Sequence, residues 1–286
     1  MDCILITNDD GISEGLESLI TYLHRDKIPL LVVIPDSNKS ACSMAITLRE
    51  KMRLIRQISL EDKLNEGFAD LLIFTLKGTP ADCALFVDFS KGSDLLNNLN
   101  PIFGVSGINY GANLSHDVLH SGTVGGARQM AMNGLPSMAS SYCDYTGKDM
   151  DDAVKLTANF CKKLWNKKTY LTPIEKAFSK AELFLNLNIP KNWNGKVKYG
   201  SLGIRDYDNA LRIENIEPDA AYDVSFAGPN IIEQDIEGSD VTHINSGNAS
   251  VSLMPSWPFL HARYPNKEVL FALEELSKSE VIDWFN

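Results

Sequence analysis

Two adjacent carboxylates, Asp9 and Asp10, follow the short apolar run Cys3 to Ile6 in the segment Thr7-Asn8-Asp9-Asp10-Gly11. Like charges this close repel each other, and a hard divalent cation with oxygen ligands is the simplest compensation. Gly11 permits the crowded turn. The plain alternative is a solvated acidic turn or a helix cap, since Asp and Asn are common turn residues. A second loop, Pro35-Asp36-Ser37-Asn38-Lys39-Ser40, offers amide, ammonium and hydroxyl groups, and alone it is simply polar. A third, Gly78-Thr79-Pro80-Ala81-Asp82, reads as a helix start with Thr79 at the N-cap and Asp82 completing a capping-box pattern. The fourth, Ser106-Gly107-Ile108-Asn109-Tyr110-Gly111-Ala112-Asn113, leads on to Ser121-Gly122-Thr123 at a helix N-terminus. Free amides and the helix dipole favour an anion there, although ordinary capping accounts equally for that segment by itself.

The elements that must position these loops alternate along the chain. Cys3 to Ile6 is a strand, and Leu16, Leu19, Ile20 and Leu23 have helical spacing. Leu30 to Ile34, Leu71 to Leu76 and Ile102 to Ser106 read as further strands, and a helix runs from Ser121 to Asn133-Gly134. Ser137 to Ser141, a helix carrying Ala153, Leu156, Phe160 and Leu164, and the strand Leu183 to Leu187 continue the pattern. Such alternation predicts an α/β fold with a doubly wound, mainly parallel sheet, and in open sheets of that kind ligands bind at the carboxyl ends of the strands. All four loops fall there. After Pro190 the segments become short: Lys196 to Leu202, Leu211 to Ile216, Ala221 to Phe226 and Ala249 to Leu253 read as hairpins, and a closing amphipathic helix carries Val269, Leu270, Leu273 and Leu276. The expected division is a catalytic core over residues 1–190 and a β-rich extension with a terminal helix over 191–286.

Composition narrows the partners. A formal charge of −10 over 286 residues argues against binding a nucleic acid polymer, whose affinity rests on many Lys and Arg contacts. A phosphate site on so acidic a chain must be made locally positive by a cation or a helix end. No apolar run approaches the ~20 residues of a membrane span, and the N-terminus lacks a secretory pattern, so no membrane partner and a cytoplasmic location are expected. Five scattered cysteines without CxxC spacing suggest neither a disulfide framework nor a zinc site.

Taken in order and at their spacings, Asn8-Asp9-Asp10-Gly11, Pro35-Asp36 through Asn38 and Ser40, Gly78-Thr79-Pro80 with Asp82-Cys83, Ser106-Gly107 with Asn109, Gly111 and Asn113, and Ser121-Gly122-Thr123-Val124 resemble the survival protein E (SurE) family. Asn186-Leu187-Asn188-Ile189-Pro190 resembles that family's strand near the end of the core. The resemblance covers about residues 1 to 190 and weakens afterwards. It implies a Rossmann-like core, an extension used in homodimer or homotetramer assembly, and metal-dependent phosphomonoesterase activity on nucleoside 5′- and 3′-monophosphates, with short polyphosphate trimmed by some members.

Carried over position by position, the resemblance implies metal ligands at Asp9, Asp10, Ser40 and Asn109. It implies phosphate or nucleotide contacts at Asn113, Ser121, Gly122 and Thr123, with Asn38 nearby. Two carboxylates, a hydroxyl and an amide oxygen form a shell suited to one Mg²⁺ or Mn²⁺ per subunit. Asp9 is then the residue to orient or deprotonate the attacking water, with Asp9 and Asp10 as the catalytic pair.

The sequence departs from the family at several points. Only Ser13-Glu14 separates Ile12 from Gly15, Gln129 stands where a Glu is expected, an aromatic is missing before Asn248-Ala249-Ser250-Val251-Ser252, and Arg205 to Asp223 lacks the family pattern. Substrate preference and oligomer geometry are where these differences act. His24 reads as helix surface. His116 and His120 flank Asp117 beside the phosphate loop and read as structural or substrate-contacting. Cys42, two residues from Ser40, reads as an inert thiol. Two other classes are weighed: the third strand ends in Leu76-Lys77-Gly78-Thr79 rather than in the phosphate-accepting Asp of a receiver domain, and Asp9 is followed two positions later by Gly11 rather than by the Asp of a haloacid-dehalogenase-type phosphatase, a reading that phosphoenzyme trapping would test. A nucleotide-binding module without hydrolysis stays open at this point.

Overall fold

The computed structural model describes residues 1–217, 221–226 and 228–282. The first strand, β1 (Asp2–Thr7), runs through the middle of a sheet and is buried from Cys3 onward. That is why its sequence carries no charge after the exposed Asp2. Ile4 and Ile6 face one apolar cluster while Cys3 and Leu5 face another, the period-two alternation of a strand covered on both sides.

The remaining strands are β2 (Leu30–Pro35), β3 (Leu54–Arg56), β4 (Leu71–Leu76), β5 (Asn100–Tyr110), β6 (Ser137–Tyr142), β7 (Leu183–Ile189), β8 (Val197–Tyr199), β9 (Ile204–Asp208), β10 (Leu211–Glu217), β11 (Ala221–Phe226), β12 (Asn230–Gln234) and β13 (Ala249–Pro255). Nine form the main sheet, in the order β3-β4-β2-β1-β5-β6-β7-β13-β8. From β4 to β7 every pairing is parallel. Antiparallel β3 and β13 flank that stretch, and β8 lies parallel to β13. The fold is α/β and doubly wound, as the alternation predicts.

Helices α1 (Glu14–Arg25), α2 (Ile58–Leu64), α3 (Pro80–Phe89), α4 (Asp117–His120), α5 (Gly122–Met132), α6 (Asp151–Asn166), α7 (Pro173–Ser179), α8 (Asp240–Asn245) and α9 (Lys267–Ser279) complete the chain. Leu16, Leu19, Ile20 and Leu23 of α1 pack with Phe160 and Leu164 of α6 on one face; Val87 of α3 and Val124, Ala127 and Met130 of α5 cover the other. The Thr79 capping box forms as its spacing predicts, with Asp82 N donating to Thr79 Oγ1 and Thr79 N donating to Asp82 Oδ2. His24 differs from expectation. It is fully buried, because a spacing of four places it beneath Ile20 on the stripe that faces the sheet.

The extension is less separate than its texture suggests. β13 pairs residue for residue with β7, Ser250 opposite Asn188 and Ser252 opposite Asn186, so the sheet continues across residue 190. Lys196 to Leu202 does not make a hairpin, since β8 joins the main sheet beside β13. Two small antiparallel pairs, β10-β11 and β9-β12, stand apart. Of the expected extension and its atypical hairpin region, residues 218–220, 227 and 283–286 lie outside the described residues.

Candidate active site

The acidic corner is built by its neighbours. Asn8 closes the turn on itself, donating from Nδ2 to Gly11 O at 2.6 Å and accepting Gly11 N at Oδ1, while Gly11 takes φ +75°. The main chain is thereby fixed on both sides of Asp9 and Asp10. Asp9 is 2% exposed and lies against the start of α5. Its Oδ2 accepts the Thr123 N–H at 3.0 Å, and its Oδ1 accepts the Thr123 hydroxyl at 2.5 Å. A Cβ on Gly122 would sit 2.9 Å from both the Asp9 side chain and Cys42 Sγ, so only glycine lets the helix end come this close. Burial pushes the Asp9 carboxyl above its ordinary range, opposed by the bonds from Thr123 and the Gly122 backbone.

Asp10 has a looser setting. Its Oδ1 accepts Asn38 Nδ2 at 3.2 Å and its Oδ2 accepts Tyr110 N at 3.3 Å. Burial and then the neighbouring Asp9 charge raise its carboxyl to about 6, against the Tyr110 bond. Asn38 in turn accepts Ser40 N at Oδ1, and Lys39 N donates to Asp9 O at 2.6 Å, so the loop after β2 is tied to the acidic turn. That loop is also held from behind, by Ser43 on the carbonyls of His120 and Leu119.

Asn109 reaches the site through an irregularity in β5. Ser106 pairs with Ala139 but Asn109 pairs with Ser141, and the shift between them re-aims the strand end. The Asn109 amide nitrogen donates to Gly111 O at 2.8 Å, which turns its oxygen to the other side. Asn113 sits in a net of its own. Its N–H donates to Asn188 Oδ1, its Nδ2 to Ser141 Oγ, and its carbonyl accepts from both Asn186 and Asn188. Ser121 caps α5, its Oγ accepting Val124 N at 3.0 Å, which leaves its hydroxyl hydrogen free to donate.

A pocket of about 280 Å³ collects these groups. Of the residues proposed from sequence, Asp9, Ser40, Asn109, Asn113 and Ser121 line it. Asp10, Asn38, Gly122 and Thr123 stand one layer back, holding Asp9 or each other. Asp117, His120, Tyr145 and Tyr207 complete the wall. Sequence reasoning gives no role to Asn186 and Asn188, although their spacing of two on a strand puts both on one face. Tyr145 and Tyr207 carry no such signal.

The donor set fits a hard cation. Asp9, Asp10, the Ser40 hydroxyl and the free oxygen of Asn109 are all oxygen ligands, and two repelling carboxylates gain most from a positive charge. Among the described residues there is no group of three or more His, Cys, Asp and Glu placed to hold a metal, so the neutral oxygens must take part. A larger cavity, about 740 Å³, lies between α7 and α9. Its lining is mainly apolar, with Leu253, Phe271 and Leu276, and Glu175 there is already paired with Lys167 at 2.7 Å.

Residues 4–209 match the family model described as "Survival protein SurE". The chain is 33% identical over 255 residues to the 5′-nucleotidase SurE of Campylobacter jejuni subsp. doylei, covering 87% of this chain and 90% of that protein. It is 31% identical over 253 residues to the 5′-nucleotidase SurE of Gloeobacter violaceus, covering 87% and 88%. The crystal structure of the SurE protein from Aquifex aeolicus superposes with a TM-score of 0.68 at 25% identity, over 96% of this chain and 99% of that one.

Proposed function

The chain belongs to the survival protein SurE family, and on that premise we propose that it is a divalent-metal-dependent nucleotidase, hydrolysing nucleoside 5′-monophosphates and, by the same chemistry, 3′-monophosphates to nucleoside and phosphate. The observation that carries the reading is the buried Asp9, beside Asp10, at the floor of a pocket that also holds the start of α5.

One Mg²⁺ or Mn²⁺ held by Asp9, Asp10, Ser40 and Asn109 would neutralise the acidic pair and polarise a phosphoryl oxygen. Ser121 donates its hydroxyl hydrogen toward the phosphate, and the positive end of the α5 dipole beside it favours the dianion. Thr123 acts through Asp9, fixing its carboxylate with two donors so that it does not swing during turnover, and Gly122 allows the close approach. Asp9 orients the water that attacks phosphorus or accepts its proton. The phosphorus–oxygen bond to ribose then breaks opposite the attacking oxygen, and the departing ribose oxygen takes up a proton. Asn113, fastened by Asn188, Asn186 and Ser141, sets the shape of the loop between Asn109 and Ser121.

The extension suits assembly into a homodimer or homotetramer, because β10 and β11 expose Leu211, Ile213, Tyr222, Val224 and Phe226 on two strands that, among the described residues, pair with each other alone. Light scattering should give a mass above that of one chain. A cytoplasmic location accords with five free cysteines and with the absence, among the described residues, of any helix long and apolar enough to cross a membrane.

The decisive measurement is phosphate release from a panel of nucleoside monophosphates and tripolyphosphate with Mg²⁺, Mn²⁺ or EDTA. Turnover should require the metal. Nucleotide bound without phosphate release would leave only a binding module, and full turnover by protein verified as metal-free would overturn the mechanism.

A further inference from the structure

The pocket that holds Asp9 is lined by two kinds of chemistry. Asp9 and Ser121 line it with polar groups, and Tyr145 and Tyr207 bring two aromatic rings to the same cavity from separate parts of the chain. We propose that these two tyrosines form the seat of the nucleotide's base, with the planar heteroaromatic ring stacked on Tyr145 and Tyr207 supplying a second aromatic wall. The proposal rests on the nucleotidase reading and adds the group that recognises the nucleoside half of the substrate.

Tyr145 lies in the loop after β6 and is 71% exposed, an unusual fate for a ring that is nevertheless packed down. It lies on the backbone of Gly111, where a Cβ would fall 2.4 Å from Tyr145 Cε1. Gly111 also takes φ +113°, a conformation that side chains other than hydrogen rarely adopt. This glycine stands two residues after Asn109, so the loop that offers a metal ligand also beds the ring. A ring supported on one side and open on the other is a platform for stacking.

Tyr207 is held differently. Its hydroxyl donates to Asp117 Oδ2 at 2.7 Å, and His116 meets its ring edge-on at 5.9 Å. Arg205, two residues earlier on β9, has a side chain only 9% exposed. It pairs with the same Asp117 oxygen and with Glu233 of β12, each at 3.0 Å. Removing either acid would leave a buried guanidinium short of a partner, so β9 is fastened to the turn that leads into Ser121. The extension thereby furnishes part of the substrate pocket as well as an assembly surface.

A nucleoside monophosphate matches this polarity, with charge at one end and a π-face at the other. Stacking tolerates any base, since every base has a π-face, and it favours purines through their larger area. The expected signature is broad base acceptance with purines preferred.

The test uses the full-length protein with Mn²⁺ and compares wild type with Tyr145→Ala and Tyr145→Phe. Calorimetry measures adenosine, which carries no phosphate to hydrolyse, and steady-state kinetics compare AMP with ribose 5-phosphate, which lacks the base. Stacking is worth ~1–3 kcal/mol per base. Tyr145→Ala should therefore weaken adenosine binding and raise KM for AMP by roughly tenfold. Turnover of ribose 5-phosphate should stay within about twofold, and Tyr145→Phe should restore wild-type values, because the ring and not the hydroxyl stacks. An equal loss on AMP and ribose 5-phosphate, no loss on either, no detectable adenosine binding by wild type, or a Phe variant as impaired as the Ala variant would each overturn the seat. Adenosine binding without phosphate release from AMP would instead sink the hydrolase reading and leave the seat standing.

Discussion

Asp9 and Asp240 are both buried beside helix starts, and they do opposite jobs. Asp240, at the first position of α8, is fully buried and accepts three backbone N–H groups: Ser115 on Oδ2 at 3.0 Å, and Gly203 and Val241 on Oδ1 at 2.7 and 2.8 Å. Asp9, before α5, is nearly as buried, but Asp10 stands beside it and a cavity opens before it. Burial pushes both carboxyls upward. What separates them is satisfaction. Asp240 is saturated by fixed donors from three segments and acts as a knot, whereas the Asp9 corner keeps an uncompensated charge that only a ligand can relieve. Depth of burial alone does not reveal a functional acid.

The contrast breaks most visibly under substitution. Asp9→Asn should lower phosphate release by about 10³-fold, as expected when preorganised electrostatic stabilisation of the transition state is lost. Its melting temperature should hardly change, because an amide can still accept the Thr123 N–H and donate to the Thr123 hydroxyl. A large fall in melting temperature would place Asp9 with Asp240 as a structural group. Asp240→Ala should do the reverse. Three buried N–H groups lose their acceptor, at ~1–3 kcal/mol each before relaxation, so urea denaturation should show a loss of about 3 kcal/mol or more. Turnover per folded molecule should persist.

A finer comparison uses Thr123→Val, which keeps the shape and removes one donor from Asp9. Turnover should fall about tenfold, the cost of a charge-assisted bond. Part of that loss should return as pH rises, since the missing bond no longer holds the carboxyl down. Unchanged kinetics would dissociate Thr123 from the acid. The smallest effect concerns Asp10 in metal-free protein. Its carboxyl is raised from the ordinary 3.8 to about 6, so its favourable contribution is complete below about pH 4 and is lost as pH climbs through 6. Allowing for solvent screening, wild type should lose about 1 kcal/mol relative to Asp10→Asn between those limits. Mn²⁺ at pH 7 should reverse the difference. Parallel pH–stability curves for the two proteins in EDTA would remove like-charge strain from the account.

Much of the order of strands and helices through Ile189 was legible because β1, β2 and β4 are short, mainly apolar runs and because α3 and α5 carry side-chain caps at Thr79 and Ser121. The acidic corner was legible for the same local reason: two adjacent carboxylates need no partner to look costly. Thr123, read as a phosphate contact, instead binds Asp9 with both its donors, since a helix N-terminus does not distinguish a substrate anion from one of the chain's own. Tyr145 and Tyr207 were invisible, because a lone ring in a loop has no period and their convergence depends on where β9 crosses the pocket. His24 was misread because a polar side chain at the end of an apolar stripe looks like the beginning of the wet face. β8 and β13 were taken for hairpins because segments of three and seven residues carry little information about which neighbour they will choose.

The continuation of the sheet past Ile189 bears on any attempt to trim the protein. Cutting after residue 190 would strip β13 from β7, and Leu183 through Ile189 would become an open edge lined by backbone donors and acceptors, with Leu183, Leu185, Leu187 and Ile189 on one face. Such an edge recruits strands from other molecules. A shortened version should precipitate or form intermolecular β-structure when expressed, so the tail acts as a guard against self-association of the very sheet that carries the chemistry.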